Sequence, residues 1–241
     1  MFDTQAPLYG IFIIISFICG LFVVYVNAKR FNFRVEEIIS LLIFVILGAI
    51  FGAKYYTFLA NPKEFNGIFN FEKVGLSSYG AVIGIIILLI VFSKLYKKSF
   101  KHLILIMLPS IPLMYGIGKI GCFFAGCCYG IEYNGPLSII YNYSYSAPSG
   151  VELFPVQLLE AVVFIGIFIY VFYKSKKDNY DYFVVGQVLT LCGISKFLLD
   201  FLRKNQMKQV LTVNQIVSII FVLIGICLLI IKRNKRITDN M

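Results

Sequence analysis

Three lysines, Lys54, Lys119 and Lys196, sit inside stretches of sequence that are otherwise almost wholly apolar. A charge held away from water costs at least a few kcal/mol and normally faces a polar cavity, so each lysine is a candidate for holding an anion. Glu160 and Gln157, Asp200 and Arg203, Gln215 and Tyr79 occupy similar settings at or near the ends of neighbouring apolar runs. Carboxylates can take up a proton, amides and phenols can orient a polar substrate, and clustered cations can stabilise a departing anion. A second chemistry is offered by residues 118 to 130, Gly-Lys-Ile-Gly-Cys-Phe-Phe-Ala-Gly-Cys-Cys-Tyr-Gly, which set Cys122, Cys127 and Cys128 just beyond Lys119. A neighbouring cation favours the thiolate, the nucleophilic and redox-active form of cysteine.

The elements that must carry these residues are membrane helices. With 59% hydrophobic and 14% charged residues, the chain lies well outside the range of soluble globular domains, in which about a quarter of residues are charged. Apolar runs close to the roughly 20 residues needed to cross hydrocarbon recur at about 8–26, 37–60, 75–96, 103–126, 157–173, 182–202 and 214–232. The expectation is an all-α integral membrane protein, one polytopic domain over 1–241 with seven transmembrane helices. The first run has no basic residue ahead of it and no small-residue cleavage site after it, so it reads as a retained helix.

Loop charge sets the orientation. With the N-terminus outside and the C-terminus cytoplasmic, fourteen of the 22 Lys and Arg residues fall on the inner side and five on the outer. The net charge of +10 is then a cytoplasmic face set against anionic lipid, with no nucleic-acid signal in it. The remaining three cations are Lys54, Lys119 and Lys196, on runs two, four and six, which all cross from inside to outside. At 1.5 Å per residue they lie roughly 20 to 26 Å from the inner edge, in the outer half. Glu160, Gln157, Asp200, Gln215 and Tyr79 share that depth, which implies a polar cavity opening to the outer leaflet. Snorkelling of lysines near helix ends is the plainer alternative.

Run four carries Pro109 and Pro112 and then Gly116, Gly118, Gly121, Gly126 and Gly130, so it is expected to bend or unwind near the outer face and to form one wall of the cavity. Gly118 and Gly121 would admit a ligand or another helix closely. For Cys122, Cys127 and Cys128 three readings stay open: small buried packing residues, a disulfide or redox pair joining Cys122 to Cys127 or Cys128, and a metal site. The spacing is not a usual zinc pattern and no histidine is at hand, so no metal is expected. The only long loop, about 131–156 on the outer side, lacks Lys and Arg but carries Tyr133, Tyr141, Tyr143 and Tyr145, suited to a headgroup-level or peptide-contacting surface.

Residues Gly118 to Gly130 resemble the signature of the prolipoprotein diacylglyceryl transferase family, which runs roughly G-R-I-G-N-F-x-N-G-E-x-x-G. Other stretches match in order. Leu8-Tyr9-Gly10 lies in the first run, Gly52-Ala53-Lys54 is similar to G-A-R, and Leu76-Ser77-Ser78-Tyr79-Gly80 is similar to L-S-F-H-G. Pro155 to Glu160 is similar to P-x-Q-L-Y-E, and Lys196 to Arg203 resembles R-F-x-x-E-F-x-R, with Gln215 following. The resemblance spans nearly the whole chain and implies a seven-helix protein of the bacterial plasma membrane with its N-terminus outside. It implies transfer of the diacylglyceryl group of phosphatidylglycerol to the lipobox cysteine of a prolipoprotein signal peptide, without a cofactor. Lys119, Lys196, Glu160, Asp200 and Tyr79 would then be catalytic, and Lys54, Arg203, Gln157, Tyr9, Gly118, Gly121 and Gln215 would bind substrate.

The chain departs from the family pattern at defined places. It has lysine for arginine at 54, 119 and 196, Tyr79 for histidine, Asp200 for glutamate, and Cys122 and Cys127 for asparagine and glutamate. One alternative keeps the fold and uses Cys122, Cys127 and Cys128 for thiol redox or another lipid group transfer. A transporter would need polar residues along a path through both leaflets, and the inner half is poor in them.

Overall fold

The computed structural model describes residues 2–3, 6–60, 78–144, 146–177, 180–204 and 212–238. Eight helices are present among them: α1 (Ala6–Arg30), α2 (Val35–Ala60), α3 (Ser78–Leu95), α4 (Phe100–Met107), α5 (Ser110–Ala125), α6 (Val156–Lys174), α7 (Tyr182–Asp200) and α8 (Val213–Thr238). Six spans are long and apolar enough to cross a membrane, one of them running through α4 and α5 from Phe100 to Ala125. A seventh apolar helix, Gly80–Leu95, is shorter. The protein is therefore a multi-pass, all-α membrane protein. Residues 61–77 and 205–211, which carry three of the basic residues assigned to the outer side, lie outside the described residues, as does Tyr145.

The chain divides into two compact units. In the unit formed by residues 24–106, α2 and α3 meet through glycines spaced four apart on each helix. A Cβ on Gly48, Gly52, Gly80 or Gly84 would collide with the backbone of the facing helix. Small residues allow this approach, and in lipid, where apolar burial alone does not drive association, close packing of this kind holds helices together. Ile38, Leu41, Phe92, Leu103 and Ile106 are fully buried here. At the start of α2 the buried Glu37 accepts from the Arg34 backbone N–H at 2.9 Å and pairs with Lys98 Nζ at 2.8 Å. The carboxylate thus closes the first turn of the helix, where backbone donors lack intrahelical partners.

The other unit comprises residues 1–23 and 107–241. Its α5 follows a break at Leu108–Pro109, where Ser110 Oγ donates to Met107 O at 2.7 Å. The bend expected of run four therefore falls at its prolines, and α5 continues unbroken through Gly116, Gly118 and Gly121. Pro109 precedes the helix and Pro112 lies in its first turn, where a missing N–H removes no helical hydrogen bond. The glycines serve contacts instead. A Cβ on Gly116 would press on Ile165 at 2.9 Å, and one on Gly121 would meet Phe12 at 3.0 Å. In the same manner α7 and α8 pack across Gly186, Gly193 and Gly225.

The stretch expected as a long outer loop is partly ordered into strands. β1 (Phe2–Asp3), β2 (Ile139–Tyr143) and β3 (Glu152–Leu153) form a sheet in the order β1-β2-β3, parallel then antiparallel, with Ile139 opposite Leu153. Tyr141, Ala147 and Leu153 make a small core beneath it. Tyr143 is exposed, as a surface tyrosine should be, but Tyr141 is fully buried and donates to Phe123 O at 2.8 Å. It fastens the sheet to the end of α5, so its role is packing and not surface contact.

Candidate active site

The centre of the second unit is Glu160, in the second turn of α6 and wholly buried. Its Oε2 lies 2.6 Å from Lys119 Nζ on α5 and its Oε1 lies 2.5 Å from Lys196 Nζ on α7. Tyr115, four residues before Lys119 and so on the same face of α5, donates its hydroxyl to Glu160 Oε1 at 3.2 Å. Both lysine Nζ atoms also sit over the Tyr115 ring, at 5.2 and 5.6 Å from its centroid. A cation above an aromatic face gains from the ring quadrupole, most of all when desolvated.

The network continues along α7. Lys196 Nζ is 3.8 Å from Asp200 Oδ1, and Arg203 Nη1 is 3.4 Å from the same oxygen. Thr212 donates its hydroxyl to Asp200 Oδ2 at 2.6 Å. Thr212 also opens α8 in a capping box: Gln215 N–H donates to Thr212 Oγ1 at 3.2 Å, and Thr212 N–H donates back to Gln215 Oε1 at 3.1 Å. Among the described residues, the carboxylates paired with Lys119, Lys196 and Arg203 in this cluster are Glu160 and Asp200, which leaves three cations against two carboxylates. An excess charge in a poorly hydrated site attracts an anion strongly.

Two buried amides border the cluster with one end unused. Gln157 donates Nε2 to Cys127 O at 2.9 Å while its Oε1 has no hydrogen-bond partner among the described residues. Gln215 uses Oε1 in the capping box while its Nε2 has none. Buried polar atoms are nearly always paired, so an orphaned acceptor and an orphaned donor beside a cation cluster mark places for a polar ligand.

Cys122, Cys127 and Cys128 converge because of how α5 ends. Gly126 adopts the left-handed conformation (φ 65°), Gly126 N–H donates to Phe123 O at 3.1 Å, and Cys127 N–H donates to Cys122 O at 3.1 Å. This pair of bonds is a Schellman motif, which brings the second residue after the cap over the last turn of the helix. Cys127 is thereby folded onto Cys122, and its thiol also reaches Cys122 O at 3.7 Å. Cys128 is left-handed as well (φ 55°), and the three Sγ atoms lie within 4.8 Å of one another. All three are free thiols. Hydrogen bonds from Cys122 and Cys127 hold the Cys128 thiol below the ordinary range, and the charges of Lys119 and Arg203 act the same way against its burial.

Backbone pairing fixes Arg203 beside these thiols. Gly130 bridges to Arg203, and Ile131 N–H donates to Leu202 O at 3.0 Å. Gly130 is required there, since a Cβ would collide with Phe154 O. Lys204, next along, pairs with Glu132.

The structure thus assembles Lys119, Glu160, Lys196, Asp200 and Arg203, with Gln157 and Gln215 beside them. Tyr9 lies on α1, exposed, with its carbonyl and ring against Gly121. Gly118 is different: a Cβ there would meet only Ile13 Cδ1, at 3.9 Å, so packing does not demand glycine. Lys54 and Tyr79 belong to the 24–106 unit, Lys54 half-buried on α2 and Tyr79 in the first turn of α3. Tyr115 and Thr212 were not singled out from the sequence. The signals for them were the four-residue spacing to Lys119 and the Thr-x-x-Gln pattern at 212–215.

Comparison with known proteins identifies the family of the chain. A family model described as prolipoprotein diacylglyceryl transferase matches residues 2–231. A phosphatidylglycerol–prolipoprotein diacylglyceryl transferase of Clostridium tetani is 26% identical over 98% of this chain and 97% of its own length. One of Finegoldia magna is 30% identical over all of this chain and 96% of its own. With a match reaching from the first strand to the body of α8, the chain belongs to the prolipoprotein diacylglyceryl transferase family.

Proposed function

We propose that this protein transfers the diacylglyceryl group of phosphatidylglycerol to the thiol of a lipobox cysteine in prolipoprotein signal peptides. The observation that carries the reading into this chain's own residues is the buried, net-positive cluster centred on Glu160. In the transfer, the thiol sulfur forms a bond to the glycerol carbon that bears the phosphate. The carbon–oxygen bond breaks and glycerol phosphate leaves with one more negative charge than the diester carried. The proton of the thiol must go to a base.

Glu160 is suited to take that proton, directly or through a water. Its protonation frees Lys119 and Lys196 from their counter-charge as the leaving phosphate acquires its own. The lysines then pass from one anion to another within a low-dielectric site, where such stabilisation is worth most. Asp200 holds Lys196 and Arg203 in register, and Thr212 holds Asp200. The free Oε1 of Gln157 suits a glycerol hydroxyl, and the free Nε2 of Gln215 suits a phosphate or ester oxygen. Gly118 leaves room beside Lys119 for the lipid. Tyr9 and Lys54 are assigned to binding, and Tyr79 to proton transfer.

The reading also includes the orientation: seven helices, N-terminus outside and C-terminus cytoplasmic, with the site facing the outer leaflet of a bacterial plasma membrane. The test is incubation of the purified protein with labelled phosphatidylglycerol and a lipobox peptide, followed by mass spectrometry of the peptide. A thioether-linked diacylglyceryl peptide is expected from the parent protein, and its formation should be about 100-fold slower with Lys196→Met. Unmodified peptide from folded parent protein would overturn the reading.

A further inference from the structure

The convergence of three thiols exceeds what the transfer reaction uses. Cys122, Cys127 and Cys128 point their Sγ atoms to one place, all within 4.8 Å of one another. A disulfide would join two of them and leave the third idle, and packing alone would not require three sulfurs to face inward together. Two left-handed residues, Gly126 and Cys128, are spent on the turn that gathers them. A non-glycine residue in that conformation costs on the order of 1–3 kcal/mol and persists only where its surroundings hold it there.

We propose that Cys122, Cys127 and Cys128 form a three-thiolate site for a single soft cation, Cu(I) above all. At metal–sulfur bonds of about 2.3 Å, three sulfurs around a central ion stand about 4.0 Å apart, so the trio needs to contract by less than about an ångström. Soft thiolate ligands select Cu(I) over hard ions, and a three-coordinate site without histidine or carboxylate suits it better than Zn(II), which favours four ligands. Binding displaces three thiol protons, so the occupied trio with Cu(I) carries two negative charges. Arg203 lines one cavity with Cys128, and the single positive charge in excess among Lys119, Lys196 and Arg203 offsets one of the two. A cavity of about 310 Å³ lined by Cys128, Tyr129, Ser146 and Arg203 gives the ion a way in.

The site is independent of the transfer reading in its test. The full-length protein, purified in detergent under reductant and stripped of metal, is titrated with Cu(I) under nitrogen against a chromogenic Cu(I) chelator. One ion retained per chain is expected, with Cys122→Ser, Cys127→Ser and Cys128→Ser each weakening retention by at least about tenfold. Cys227→Ser, at an exposed thiol on α8, should leave it unchanged. In the unaltered protein, Cu(I) should protect Cys122, Cys127 and Cys128 from alkylation, which mass spectrometry reads without any variant having to fold. No retention against the chelator, retention indifferent to the three substitutions, or equal alkylation with and without Cu(I) would each overturn the site.

Discussion

Glu37 and Glu160 are built alike and placed differently. Each is a buried carboxylate near the start of a helix, and each pairs with two cations from different parts of the chain or turn. Around Glu37 one cation ends in water and the other is partly exposed: the side chains of Arg34 and Lys98 are 77% and 26% exposed. Around Glu160 they do not, with Lys119 and Lys196 at 8% and 17%. Hydrated cations keep their solvation whether or not the carboxylate is charged, so the Glu37 pairs close a helix end and do little else. Desolvated cations depend on their counter-ion, so any event that neutralises Glu160 makes them seek another anion. Burial of the cations, more than burial of the carboxylate, separates a reactive site from a structural cap.

The largest test of that contrast is the same substitution at both places. Glu160→Gln removes the proposed base and leaves two buried lysines without their anion; transfer should fall on the order of 100- to 1000-fold. The folded protein should also melt earlier, since an uncompensated buried charge costs about 3–5 kcal/mol. Glu37→Gln should lower the melting midpoint slightly and leave the rate per folded molecule unchanged. A comparable loss of rate from both would break the distinction. Next in size is the pair Lys196→Met and Lys196→Arg. If the positive charge is what counts, methionine should cost about 100-fold, the order expected for losing one stabilising group of a leaving anion, and arginine should retain most of the rate. Loss with arginine as well would shift the weight from charge to fit.

A smaller effect is expected at Gln215. Leucine there removes the orphaned Nε2 and the capping-box acceptor together. The cap is worth about 1 kcal/mol of stability. If Nε2 meets the lipid, KM for phosphatidylglycerol should rise about tenfold, the effect of one lost hydrogen bond to a charged group, with kcat little changed. A stability loss with no change in KM would confine Gln215 to capping α8.

Much of this site was legible in the sequence because the membrane makes polar residues conspicuous. Lys119, Glu160, Lys196 and Asp200 stand out within apolar runs, and the structure places them in one cluster with Arg203. What escaped notice depends on short-range geometry. Tyr115 looks like one more aromatic residue of an apolar helix until its spacing from Lys119 puts both on one face. The thiols were a question of spacing too. A pairing of Cys122 with Cys127 or Cys128 was open from the sequence, but the convergence of all three was not; with Gly126 between them, Cys122 and Cys127 occupy the two positions that a Schellman motif brings together. The strands of residues 139–153 were hidden because a β1 of two residues and a β3 of two residues carry no periodic pattern.

Arg34 supplies the smallest effect and the sharpest control. Its guanidinium reaches Glu37 at 3.3 Å, close to the 3.4 Å at which Arg203 meets Asp200. Its side chain is nevertheless mostly in water, so the attraction is screened and the pair is worth about 0–1 kcal/mol. Arg34→Ala leaves Glu37 with Lys98 at 2.8 Å and removes neither a buried partner nor a helix contact. The melting midpoint should therefore move by no more than a degree or two, on the order expected for a few tenths of a kcal/mol, and the transfer rate should not move. Lys119→Ala makes a formally equivalent cut, one cation from one carboxylate, and should abolish most of the transfer. If the two substitutions behaved alike in either direction, the exposure of the cation would not be the variable that divides these two carboxylates, and the surplus charge around Glu160 would lose its claim on the phosphate.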